Sequence, residues 1–145
     1  MATYNGVNKT KTVSVPSVKL PPGELNGRLK WAYDEYTFGA EITSGEDIAL
    51  MTIPNGARIV DAIVTSPDLG ATVAFSLGYT GDLDALMAGI APNGAAITDR
   101  MSDTVGAAAQ FEKLTADKEI LLSATATSVA ATGLTVKVGV AYIAD

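Results

Sequence analysis

Residues 48–79 read IALMTIPNGARIVDAIVTSPDLGATVAFSLGY, three short apolar runs divided by two turns. Pro54-Asn55-Gly56 closes the first run: proline presets φ, and Asn-Gly supplies positions that tolerate φ > 0. Pro67-Asp68-Leu69-Gly70 closes the second, with proline at the first central position of a type I turn and glycine at its exit. In the third run Val73, Phe75, Leu77 and Tyr79 alternate with Thr72, Ala74, Ser76 and Gly78. A strand repeats every two residues, so this run belongs to a sheet with one buried face. Three strands joined by tight turns predict a β-meander at the heart of an all-β domain.

Outward from that stretch, Arg28 to Phe38 is the strand before it, with Leu29, Trp31 and Tyr33 on one face and Asp34, Tyr36 and Phe38 on the other. A loop around Thr43-Ser44-Gly45 joins the two. After Tyr79 the period changes: Leu83, Leu86, Met87 and Ile90 fall at i, i+3, i+4 and i+7, one side of a short helix. Asp82 is the expected N-cap, Asp84 sits where the helix dipole favours an anion, and Pro92-Asn93-Gly94 ends the element. Residues 93–112 read as loop, with a short strand at 107–111. Glu119 to Thr125 and Leu134 to Ile143 are two further strands, and Thr132-Gly133 suggests a hairpin between them. The second is the best strand in the chain, with Leu134, Val136, Val138, Val140 and Tyr142 on one face. Six to eight short strands and one short helix predict a β-sandwich, jelly-roll-like, over residues 28–145.

Residues 1–27 are different in kind. Thr12 to Val15 alternate like a short strand, but Pro16, Pro21 and Pro22 follow, and proline has no N–H to give a ladder. The segment is expected to be an extended arm. Its apolar residues Val13, Val15, Val18 and Leu20 favour a strap that docks on something. Charge divides at the same place: residues 1–30 carry five cations against Glu24 alone, whereas residues 31–145 carry five against fifteen carboxylates. An acidic body with a basic leader suggests that the two meet different surroundings.

Composition removes most catalytic chemistry. The 145 residues include no histidine and no cysteine, so the usual general base, the commonest metal ligand and any thiolate or disulfide are missing together. Serine and threonine are plentiful, but nothing marks a base to activate them. Asp82 and Asp84 offer oxygen ligands without completing a calcium loop, and helix capping explains both. No catalytic, cofactor-binding or metal site is therefore expected, and no enzyme. The basic arm lacks interleaved aromatics and the acidic body would repel phosphate, so no direct nucleic-acid binding is expected either. No apolar run is long enough for a membrane-spanning helix, and no cleaved leader is legible in residues 1–11, which points to a soluble protein. Mean hydropathy is positive, at +0.25, although the body is acidic. Part of the surface is expected to be covered by partners rather than water.

The stretches ATYNGVNKTK at 2–11, GRLKWAYDEYTF at 27–38, PNGARIVDAIVTSPDLG at 54–70 and TVKVGVAYIAD at 135–145 resemble small virion proteins of tailed bacteriophages. That group lies near the major capsid gene and includes head decoration, or cement, proteins. The resemblance implies a jelly-roll-like fold, no catalysis, manufacture in the host cytoplasm, and a place on the capsid exterior bound to the major capsid protein. On that reading Lys9, Lys11, Val13, Val15, Pro16, Val18, Lys19, Leu20, Pro21 and Pro22 form the partner-binding strap, whose lysines meet acidic patches. The cost of ordering such a strap is comparable with the gain from burying four aliphatic side chains, so one arm holds weakly. Several arms on one homo-oligomer, most simply a trimer, hold well because each later contact is intramolecular. Two alternatives share the class of binding part: another virion component of neck, tail or fibre base, and a displayed glycan-binding sandwich. Exposed rings gathered in a groove would favour the latter, and rings buried in the core would favour cement.

Overall fold

The computed structural model describes residues 13–17, 19, 27–103, 109–126 and 132–144. Eight strands run from β1 (Leu29–Thr37) through β2 (Asp47–Ile53), β3 (Arg58–Ser66), β4 (Phe75–Tyr79), β5 (Asp82–Ile90), β6 (Ile97–Arg100) and β7 (Lys118–Ala124) to β8 (Thr135–Ile143). They form two four-stranded sheets of order β1-β8-β3-β6 and β2-β7-β4-β5. Around the β4–β5 hairpin the antiparallel pairs nest as β3·β6, β2·β7 and β1·β8. The closing pairs β3·β8 and β4·β7 complete the sheets. A long antiparallel ribbon rolled up in this way is a jelly roll.

Buried residues alternate along most of β8, whereas β4 and β7 are buried on both faces. Val136, Val138 and Val140 of β8 meet Phe75 and Leu77 of β4 and Ile120 and Leu122 of β7 in one core, all at most 1% exposed. Phe38 stands between the layers at the end of β1, edge-on to Tyr36 at 5.2 Å and 6.2 Å from Phe75.

Three expectations fail, each for a definite physical reason. The first three runs are not a meander. β3 lies in the sheet opposite β2 and β4, so both proline turns carry the chain across the sandwich. Residues 54–57 pair with the loop before β7 rather than closing a hairpin on themselves: Asn55 N–H donates to Asp117 Oδ1 at 2.7 Å, and Gly56 N–H to the Leu114 carbonyl at 2.9 Å. Nor do β7 and β8 form a hairpin. They lie in different sheets, and Gly133 N–H donates instead to the Phe38 carbonyl at 2.8 Å.

The expected helix after Tyr79 is strand β5. Tyr79 pairs with Asp82 across a two-residue connection, Thr80-Gly81, in which Gly81 takes φ 98°. Asp82 is therefore a hairpin residue and caps no helix. Between the pairs Tyr79–Asp82 and Leu77–Met87, residues 83–86 of β5 stand opposite Gly78 alone, and a second irregularity follows before Phe75–Ile90. Each bulge resets the alternation. Ala85, Leu86 and Met87 are consequently buried in succession, and the apolar spacing imitates a helical one.

The described residues of 93–112 hold more structure than a loop. Ile97–Arg100 extends the first sheet along β3, a 3₁₀ turn at Met101–Asp103 follows, and Gln110 and Lys113 bridge to Ile59 and Arg58. At the other end of the chain, residues 14–16 pass through bends and none of the described residues before β1 joins a strand.

Candidate functional site

The sheet β1-β8-β3-β6 turns an unusual face to solvent. Alternation along β1 points Ala32 and Tyr36 at the core, which forces Leu29, Trp31 and Tyr33 outward, where they are 55%, 54% and 62% exposed. Tyr33 stands beside Gly139 of β8, and Ile63 of β3 flanks Gly139 on its other side. Trp31 lies over the same glycine: a Cβ at position 139 would stand 3.3 Å from its ring. The absent side chain lets the indole lie down across β8.

The result is a groove of about 300 Å³ lined by Trp31, Tyr33, Ile63, Thr65, Lys137 and the Val138-Gly139 backbone. Polar groups frame it. Asp61 accepts from Arg100 Nε at 3.1 Å and Nη2 at 2.5 Å, and Thr65 and Thr98 hydroxyls meet at 3.3 Å. The Tyr33 hydroxyl donates to Glu35 Oε2 at 2.7 Å. That hydrogen bond, helped by desolvation and the adjacent carboxylate charges, holds the phenol above its ordinary pKa.

Among the described residues of the opposite sheet, Leu83 alone is an exposed large hydrophobic. Residues of the β5 bulge fold over Gly78, leaving Ser76 and Ser123 buried near a cleft that Leu83, Asp84 and Thr125 also line. Asp82 and Asp84 share a hydrogen bond that raises the Asp82 carboxyl. Among the described residues no group of three or more potential metal-ligating side chains gathers, and no helix is long and apolar enough to cross a membrane.

Of the residues expected in the strap, Val13, Val15, Pro16 and Lys19 are described and all are exposed, Val15 at 98%. Lys9, Lys11, Val18, Leu20, Pro21 and Pro22 lie outside the described residues. The groove itself was missed by sequence reasoning, although its signal was present. Leu29, Trp31 and Tyr33 share a face, and the opposite face of the same strand already supplies Tyr36 and Phe38 to the core. The rings divide between the two outcomes set out for them. Tyr36, Tyr79 and Tyr142 pack against the core, whereas Trp31 and Tyr33 stand exposed along a groove.

No protein-family model matches the chain, and no curated protein does. Solved structures do. The fold is similar to that of a chain in the cyanophage Pam1 capsid asymmetric unit, with TM-score 0.68 and 16% identity over 91% of this chain and 96% of that one. It is similar also to a chain in the capsid of Ralstonia phage GP4, with TM-score 0.70 and 18% identity over 94% and 96% of the two chains. At these identities the likeness is one of fold. Because it spans nearly all of both chains in each case, the matched partners are themselves small chains of about this length.

Proposed function

We propose that the protein is a bacteriophage capsid decoration protein. It binds the exterior of the head and stabilises it, and the arm over residues 9–22 straps onto neighbouring subunits or the major capsid protein. The observation that carries this reading is the end-to-end likeness to small chains from two phage capsid assemblies. The matched chains are short, since this chain spans 96% of each, and their size fits an accessory component better than the shell-forming subunit. The exposed apolar face of β1 agrees, since single-chain proteins seldom leave a contiguous ring-bearing surface to water. The protein works by binding, without catalysis, as a homo-oligomer whose several arms act together.

The test is copy number together with particle stability. In purified particles of the encoding phage, band intensity against the major capsid protein is expected to be near-stoichiometric. Particles lacking the protein should open at lower temperature and recover on adding it back. A ratio of a few per cent would move the protein to a neck, tail or fibre base.

The pair Trp31–Tyr33 favours a second reading, a glycan-binding face, because sugars stack on exposed rings. The groove's lining supports it less well than an apolar ligand. Trp31, Tyr33 and Ile63 give it apolar walls beside Thr65 and Lys137, and a sugar needs several convergent polar groups.

A further inference from the structure

Eight large hydrophobic side chains are exposed among the described residues, and five of them fall into two sets. Val13 and Val15 are on the arm; Leu29, Trp31 and Tyr33 are on the outer face of β1. The single chain thus leaves both an apolar segment and an apolar groove uncovered. We infer that the two belong together: the proline-bearing arm of one copy, centred on Val15–Pro22, lies in the Trp31–Tyr33–Ile63 groove of a second copy. This rests on reading residues 9–22 as a strap and deepens it by naming the acceptor.

Three features select this occupant. The arm sequence VPSVKLPP sets Val15, Val18 and Leu20 among three prolines, and groove-lining aromatics are the surface on which proline-rich segments dock, because proline fixes φ and leaves such a segment less entropy to lose. The prolines also decide the mode. β1 is an edge strand, open to ladder pairing, but Pro16, Pro21 and Pro22 have no N–H to donate, so the arm fits the face of the sheet and not its edge. The partner is a second copy because Val15, at 98% exposed, lies on no surface of its own body. Residues 1–30 are cationic and residues 31–145 strongly acidic, so long-range attraction brings an arm to another body.

Trp31 is the sole tryptophan and reports directly on the groove. The experiment is a concentration series of the full-length protein, following tryptophan emission and sedimentation in parallel, beside the full-length variant carrying Val15→Asp and Leu20→Asp. Far-UV circular dichroism checks that the variant keeps its β signature. In the wild type, emission is expected at short wavelength in the oligomer, moving to the red on dilution in step with dissociation. The variant should sediment as a monomer with red emission at every concentration. If the variant loses the oligomer while emission never moves, the arm binds elsewhere and the groove assignment falls, although the strap reading stands. If the variant assembles like the wild type, the strap reading falls too. Blue emission that is independent of concentration and lost in the variant would place the arm on its own groove and overturn the exchange. A wild type that is monomeric throughout overturns it as well.

Discussion

Gly78→Ala is the sharpest single test of the bulge that distinguishes β5 from the helix its sequence imitates. Gly78 is the one β4 residue facing the four-residue excursion 83–86, and the β5 backbone passes directly over it. A Cβ at position 78 would fall on the backbone of Asp82 and Leu83, 2.7 Å from the Leu83 carbonyl oxygen. These are main-chain atoms of a paired strand and cannot swing aside as a flexible side chain would. Overpacking a core costs about 1–3 kcal/mol when side chains yield, so a clash with backbone should cost about 3 kcal/mol or more. For a chain of this length each kcal/mol lowers Tm by about 3–5 °C, giving a fall of roughly 10 °C or more. Gly39→Ala is the control. It makes the same chemical change at an exposed position where a Cβ meets nothing within 4 Å, so the change in unfolded-chain entropy is common to both. Differential scanning calorimetry of the two variants decides the matter. If Gly78→Ala melts within about 2 °C of Gly39→Ala, β5 does not cross over β4 as described.

Other substitutions probe other parts of the fold. Leu122→Ala removes a fully buried core side chain of β7 and should cost about 2–5 kcal/mol in urea denaturation. Ser123 Oγ is buried without a hydrogen-bond partner, so Ser123→Ala should be neutral or stabilising by about 1 kcal/mol, and a loss of stability would show that the hydroxyl is satisfied. Asp68 accepts from the Gly70 and Gly94 amides at 2.9 Å each, which lowers its pKa, the Gly94 bond most. Its contribution is therefore present above the ordinary value of 3.8 and lost as pH falls through the lower folded value. The stability difference between wild type and Asp68→Asn should accordingly be largest near neutrality and close in acid; a difference that widens on acidification would contradict the assignment.

What could be read from the sequence, and what could not, follows from the range of the interactions concerned. The strands β1, β2, β3, β4, β7 and β8 show in alternation or apolar runs because each has at least one face that must be dry, and β4 and β7 have two. Pairing does not show. Pro54-Asn55-Gly56 and Thr132-Gly133 announce turns, but whether a turn stays in one sheet or crosses to the other depends on Asp117, Leu114 and Phe38, which are distant in sequence. Strand β5 reads as a helix because its bulges replace alternation with a spacing that also suits a helix. Strand β6 has only four residues and no buried stripe. The groove was half legible: the apolar face of β1 is in the sequence, but its floor at Gly139 and its far wall at Ile63 come from β8 and β3. Sequence reasoning placed binding on the arm and left the surface that would receive it unnamed.

The measurement closest to the proposed role is a cryo-EM map of intact particles of the encoding phage. A decoration protein gives jelly-roll density repeated over the outer surface of the head, with residues 9–22 reaching from one body onto a neighbour or the shell. Density confined to a single vertex, or none on the head, would contradict it.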